Sequence, residues 1–189
     1  MEIIKTDIDG VLILKPKVYY DQRGYFLESF SEKEFISKVG DIHFVQDNES
    51  RSVRNVIRGL HFQRPPFSQS KLIHVVKGKV LDVAVDIRSG SPTFGQHVAV
   101  ELSDENHLQV FIPRGFAHGF AVLSDEAVFQ YKCDAFYAPE SEGAIAWDDP
   151  DLGIDWKIPH EDAILSPKDQ KTPHLKDAGL LFDYDTPLY

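Results

Sequence analysis

The chain predicts a mainly β protein, an antiparallel β-barrel of the jelly-roll type with a few short helices, on three observations. Short alternating or apolar β-rich runs recur along it, separated by Gly, Pro, Asp or Asn, the spacing expected of a barrel or sandwich. A helix-start signature is singled out at only one place. With 189 residues and 42% hydrophobic composition, one domain over residues 1–189 is the default, burying about 70% of its unfolded surface.

Taken in order, the predicted strands are Val11–Leu14, Tyr25–Phe30, Val56–Phe62, Leu72–Val76, Val80–Ile87, His97–Leu102, Val110–Ile112, Phe120–Leu123 and Val128–Cys133. The helix is expected after Ser31-Glu32-Lys33-Glu34. There the Ser31 hydroxyl can accept from the Glu34 amide while the Glu34 carboxylate reaches back, and Gly40 can close the far end. Beyond Pro139 the pattern loosens into prolines, tryptophans and acids, so the segment from about residue 139 is expected to wrap on the barrel as irregular chain. No internal repeat, linker or low-complexity tract is visible.

Composition narrows the function. A formal net charge of −10 argues against a general nucleic-acid or anionic-membrane surface, yet leaves room for a small anionic ligand in a local pocket of Arg and Lys. No apolar run approaches the roughly 20 residues that span a bilayer. The single cysteine, Cys133, cannot form an intrachain disulfide, and Met1-Glu2-Ile3-Ile4-Lys5 lacks the pattern of an export signal. A cytoplasmic location is the expectation.

Two segments carry the chemistry. Gly59-Leu60-His61-Phe62-Gln63 is followed by Lys71 and Gly78, and Pro113-Arg114-Gly115-Phe116-Ala117-His118 comes later. The pair resembles the two motifs of cupins, small antiparallel barrels whose first motif reads H-x-H…E-x6-G and whose second reads P-x-G-x-x-H. Here Gln63 stands for the second histidine and Lys71 for the glutamate. A divalent ion wants neutral imidazole and anionic carboxylate, whereas an ammonium repels it and offers no lone pair. The expected barrel is therefore metal-free, with a histidine and a lysine facing one cavity, an arrangement suited to proton transfer beside an oxyanion.

Strand alternation gives a first test of facing. Lys71 shares a face with Ile73 and Val75, and Tyr131 with Phe129 and Cys133, so both polar side chains sit among apolar neighbours. Arg58 and His61 are an odd number apart, and a regular strand points them to opposite faces. Either Gly59 holds a bulge that turns both inward or one of them faces elsewhere.

A wider set of segments is more specific: Arg58 to Gln63, Lys71-Leu72-Ile73, Val80 to Arg88, Ser91-Pro92-Thr93-Phe94-Gly95, Ile112 to Phe120 and Ser166-Pro167-Lys168-Asp169. Together they resemble the dTDP-4-dehydrorhamnose 3,5-epimerase family, in order and spacing, from about Gly10 to about Leu175. The resemblance implies a cofactor-independent isomerase acting on a dTDP-linked 4-keto-6-deoxy sugar, whose C4 carbonyl makes the hydrogens on C3 and C5 removable as an enolate. It implies His61 as base, Tyr131 as the acid on the opposite ring face, Lys71 at the enolate oxygen, and Asp169 as the partner that orients His61. It also implies ligand contacts from Arg23, Glu28, Gln46, Asp47, Asn48, Arg58, His118, Glu142 and Lys168, with Tyr137 stacking near the thymine. Arginine and lysine suit a diphosphate, and an aromatic ring suits a base. A homodimer with exchanged N-terminal strands is implied as well, Arg23 and Glu28 arriving from the neighbouring subunit.

Some positions fit less simply. Asp82 is open between a partner for Lys71 and a strand-edge aspartate, and His118 between a ligand contact and a stabiliser of the loop after Gly115. Glu49 and His74 depart from the residues expected at their positions. Three alternatives compete with the double epimerase: an epimerase acting at C3 alone, a metal cupin such as an oxygenase, and a non-catalytic sugar-nucleotide-binding cupin.

Overall fold

The computed structural model describes residues 1–179 and 182–189. The chain runs β1 (Glu2–Lys5), β2 (Leu12–Lys15), β3 (Val18–Asp21), β4 (Gly24–Leu27), α1 (Glu32–Lys38), β5 (Gln46–Val53), β6 (Ile57–Gln63), β7 (Lys71–Lys77) and β8 (Lys79–Asp86). It continues through β9 (Arg88–Ser89), β10 (His97–Ser103), β11 (Gln109–Ile112), β12 (Phe116–Val122), β13 (Glu126–Cys133), β14 (Glu142–Ala144) and β15 (Phe182–Asp183). The architecture is mainly β, of the jelly-roll class. A six-stranded sheet has the order β1-β2-β11-β7-β13-β5, and a five-stranded sheet the order β10-β8-β12-β6-β14. Within both, neighbours pair antiparallel.

The layers follow from residue parity. Ile73, Val75, Val80, Ala84, Phe116, Phe120 and Phe129 face inward between the sheets as one apolar cluster. The alternate residues Leu60, Phe62, Leu81, Val83 and Val85 face outward, where Ile145, Trp147, Leu152, Trp156 and Leu175 of the later chain cover them. That double coverage explains why β8 and β12 read as almost unbroken buried runs rather than as alternation. Outside the six-stranded sheet, Phe35 of α1 packs on Leu14, Leu72 and Phe111.

Each run predicted to be extended contains a strand, with shifted ends. The run expected over Tyr25–Phe30 stops at Leu27 because Ser29 and Phe30 lead into the helix cap. The run expected from Phe120 starts earlier, at Phe116, which places His118 in mid-strand rather than in the loop after Gly115. Ser31 caps α1 through the Glu34 amide. The return half of the expected capping box is absent: the Glu34 carboxylate binds the Met1 ammonium at 3.0 Å and Lys38 at 2.6 Å.

Sequence patterning missed β1, β3, β5, β14 and the two-residue strands β9 and β15. The instructive case is β5, Gln-Asp-Asn-Glu-Ser-Arg-Ser-Val, which contains no apolar alternation. It is a sheet edge whose inward residues border a cavity instead of a packed core, so its inner face is polar by necessity.

The bulge at Gly59 is present. His61 lies opposite His118 and Arg58 opposite Phe120, so two residues of β6 face the single residue Gly119 of β12. The extra residue restores inward parity to Arg58 after His61. Gly59 has φ +136°, and a Cβ on it would lie 2.5 Å from the Gly119 Cα. Only two bare backbones can approach this closely. Gly59→Ala is expected to cost at least about 2 kcal/mol from backbone strain and crowding, whereas Gly40→Ala, with open space and an ordinary φ, should be near neutral; urea unfolding of both variants checks the contrast.

Candidate active site

A cavity of about 520 Å³ opens between the sheets, with His61, Arg58, Lys71, His118, Tyr131 and Asp169 in its lining. The volume lies within the ordinary range for small-molecule sites. A second space of about 320 Å³, bordered by His74, Gln109 and Lys132, is also present, but it holds none of the charged groups that the chemistry would need.

His61 projects inward from β6 beside the bulge. Its Nε2–H donates to Asp169 Oδ1 at 2.6 Å, which fixes the tautomer and leaves Nδ1 with a lone pair. Asp169 is 4% exposed and is delivered by the wrapping segment. Ile164 bridges to β6 through the Ile57 amide, and the Ser166 hydroxyl then accepts from the Asp169 amide at 3.1 Å. Burial raises the Asp169 carboxyl pKa, but the hydrogen bond and charge of His61, with help from Ser166 and Lys168, outweigh it and hold the group below its ordinary value. Asp169 is thus an anion that holds the His61 ring by its Nε2–H.

Lys71 begins β7 and points inward with Ile73 and Val75, its Nζ 5.3 Å from the centre of the Tyr131 ring. Among the described residues it makes neither a hydrogen bond nor an ion pair. Burial pushes its pKa down, and Cys133, Asp82 and Glu142 only partly oppose this. Tyr131 is half-buried, and burial pushes its phenol up, so it holds its proton at neutral pH. The Cys133 thiol beside Lys71 is likewise pushed up, to about 11. It is a neutral neighbour rather than a counter-ion.

Asp82 is not the partner of Lys71. It is 2% exposed and accepts from His118 Nε2 at 2.8 Å. Burial lowers the His118 pKa despite that bond, and the ring stacks on Phe129 with 18° between planes. Arg58 is steadied by Ser52 Oγ at 3.0 Å. Asn48 and Gln46 share the inward face of β5, linked by a 3.0 Å hydrogen bond. Tyr137, Glu142 and Lys168 form a chain at one rim: the Tyr137 hydroxyl donates to Glu142 at 3.1 Å, and Lys168 pairs with Glu142 at 2.5 Å.

Three expected contact residues stand apart. Asp47 has the opposite parity to Asn48, and its carboxylate is held outside by Lys132 at 2.9 Å. Arg23 sits exposed in the β3–β4 turn, paired with Asp21 at 2.5 Å. Glu28 follows β4 at the surface, away from the cavity that holds His61. Of the two unexpected residues, Glu49 accepts from Gln130 and His74 lies half-buried on the outer face of β7.

The donor set does not fit a cupin metal. Among the described residues no three His, Cys, Asp or Glu side chains converge. Lys71 occupies the carboxylate position, and the Gln63 amide is spent on main-chain hydrogen bonds.

The sequence of residues 5–177 matches the dTDP-4-dehydrorhamnose 3,5-epimerase family. The chain belongs to that family. A relative of that name from Methanothermobacter thermautotrophicus is 52% identical over 175 residues, covering 92% of this chain and 94% of its own. A crystal structure of dTDP-6-deoxy-D-glucose-3,5-epimerase from Legionella pneumophila, in complex with dTDP-4-keto-L-rhamnose, superposes with a TM-score of 0.93 at 52% identity, covering 98% of this chain and 99% of that one. A dTDP-4-dehydrorhamnose 3-epimerase from Streptomyces niveus is 39% identical, covering 98% and 91%. The chain is therefore a member of an isomerase family, and among its described residues no helix is long and apolar enough to cross a membrane.

Sequence reasoning missed the Asp82–His118 bond, the Ser52 support of Arg58 and the Ser50 hydroxyl. Ser50 Oγ is the one buried side-chain polar atom without a partner among the described residues. Parity held the signal for Asp82, which shares the inner face with Ala84 and Val80; for β5 the strand itself had first to be recognised.

Because the Lys71 pKa falls on folding, the unfolded chain binds the extra proton between the two values, and this group makes stability rise with pH across that window. Lys71→Met is therefore expected to lower turnover by about 10²- to 10³-fold while raising stability at pH 7 by on the order of 1 kcal/mol, about 2–4 °C in Tm for a chain of this size. The gain should shrink toward pH 10; calorimetry across pH, alongside an activity assay, reads all three.

Proposed function

We propose that this protein epimerises dTDP-4-dehydro-6-deoxy-D-glucose at C3 and C5 to dTDP-4-dehydro-L-rhamnose, in dTDP-L-rhamnose biosynthesis, without metal or organic cofactor. The observation that carries this reading is the convergence of the His61–Asp169 pair, the unpaired Lys71 ammonium and the protonated Tyr131 on one cavity. His61 Nδ1 takes the proton from C3 or C5, and the electron pair left on carbon delocalises to the C4 oxygen. Lys71 steadies that enolate oxygen. Tyr131 returns a proton to the opposite face of the same carbon, the C4 carbonyl re-forms, and solvent restores the protonation states of His61 and Tyr131.

Magnitudes require the groups to act together. A positioned acid or base contributes on the order of 10²- to 10⁴-fold, and one oxyanion donor about 2.7–4 kcal/mol, so single losses should not add. Arg58, Lys168 and His118 suit the phosphates and the sugar, while Gln46, Asn48, Glu142 and Tyr137 suit the nucleoside. The cation-rich cavity supports an anionic ligand although the whole chain carries −10.

The same reading includes a cytoplasmic homodimer with exchanged N-terminal strands, working as a single unit over residues 1–189. Its support is the β3–β4 hairpin, whose Tyr19, Tyr20, Tyr25 and Phe26 are 53–69% exposed. An exposed aromatic cluster of this size marks an interaction surface, and the exchange would carry Arg23 and Glu28 to the neighbour's site. Action at C3 alone is the reading favoured by the Streptomyces niveus relative, but that relative is less similar to this chain than the 3,5-epimerases are.

In deuterated water the product should carry deuterium at both C3 and C5. His61→Asn should abolish exchange and turnover, and Tyr131→Phe should still exchange protons while failing to complete epimerisation. Label confined to C3 defeats double epimerisation; ligand binding with no exchange defeats the enzyme reading; intact epimerisation in both variants refutes the acid and base assigned here.

A further inference from the structure

Gln63 stands two residues after His61, on the same inward parity, at the position where a cupin places a second metal-binding histidine. It is 5% exposed, and its amide is fully engaged. Nε2 donates to the Phe67 carbonyl at 2.7 Å and the Phe136 carbonyl at 3.2 Å, while Oε1 accepts from the Ala138 amide at 2.8 Å. From β5, Gln46 Oε1 accepts from the Tyr137 amide at 3.0 Å. Three consecutive residues, Phe136, Tyr137 and Ala138, are thus held through their main chain by two glutamine side chains. The segment lies outside regular strand structure between β13 and the turn at Pro139–Ser141. Phe136 and Tyr137 meanwhile leave large rings 70% and 55% exposed.

This exposure needs a reason, because a free connector of this kind would spread its aromatics over many orientations. The same β6 position also fixes the far end of the rim. Gln63 lies opposite Glu142 in the β6–β14 register, and Glu142 accepts from the Tyr137 hydroxyl. The main chain on either side of Tyr137 is therefore held by the Gln63 amide, and the carboxylate that aims its ring sits on the strand paired with the main chain of the same residue.

We infer that Gln63 is a positioning residue that preorganises Tyr137 as a platform for the nucleobase, acting on ligand affinity and not on the proton transfers at His61 and Tyr131. The inference rests on the reading of Tyr137 given above. A preformed platform spares the ligand the cost of ordering it. Removal of the clamp should weaken binding of thymidine diphosphate itself, which has no reacting carbon.

The test uses the full chain and four proteins: wild type, Gln63→Met, Tyr137→Ala and the double variant. Gln63→Met keeps the length of the side chain and removes its hydrogen bonds. We expect its affinity for thymidine diphosphate and its KM for the keto sugar to worsen by about tenfold, kcat to stay within about twofold, and the Tyr137 and Ala138 amides to exchange hydrogen faster. The double variant should bind thymidine diphosphate no more weakly than Tyr137→Ala alone, because the two residues act in series. If Gln63→Met does not fold, Gln63→Glu, which keeps an acceptor for Ala138, takes its place with the same expectations. Wild-type affinity in the Gln63 variant, a fall in kcat at unchanged KM, or additive losses in the double variant would overturn the inference. Unchanged affinity in Tyr137→Ala instead overturns the platform reading itself.

Discussion

The chemistry proposed for this protein depends on an ammonium group, that of Lys71, held inside the jelly roll without an ion pair among the described residues. Burial of Lys71 lowers its pKa, and the absence of an ion pair among the described residues leaves its charge available to whatever enters the cavity. Fixed charge in a water-poor site acts more strongly than in solution and needs no reorganisation when negative charge develops. The same ammonium repels a divalent ion from the spot where cupins bind one. It has a cost to folding that neighbours do not repay, since Cys133 stays a neutral thiol and Asp82 is committed to His118.

The scaffold serves this arrangement through backbone more than through side chains. The bulge at Gly59, made possible by the close approach of Gly119, sets Arg58 and His61 on one face although they are three residues apart. The five-stranded sheet is then covered on its outer face by the late segment with Trp147 and Trp156, which also brings Asp169 back to His61. Apolar packing outside the sheet and a charged pair inside it are two results of the same fold-back. The Phe129 ring, stacked between Phe120 and His118, gives the interior a rigid floor beneath the polar groups.

Much of this was legible in the sequence because it rests on alternation. The inward facing of Lys71 and Tyr131 follows from their apolar neighbours, and the odd spacing of Arg58 and His61 left two choices, a bulge at Gly59 or one side chain facing elsewhere, of which the structure has the bulge. Asp47 would have yielded to the same argument only with β5 recognised as a strand, because one step from Asn48 its side chain points the other way. What could not be read was β5, whose inner face is polar because it borders a cavity, and hence its edge pairing with β13. Long-range polar bonds were hidden for a different reason. The choice of His118 over Lys71 by Asp82, and the three main-chain contacts of Gln63, depend on which strands adjoin, which no local pattern contains.

The most direct measurement is the titration of the Lys71 side chain by NMR, using lysine labelled at the ε-carbon and assigned with Lys71→Arg. The expected result is an apparent pKa below the 10.5 of a hydrated lysine, moving back up when an anionic mimic of the enolate binds. A value at or above 10.5 in the free protein, unmoved by that ligand, would mean that the ammonium lies in bulk water and has no part in steadying an enolate.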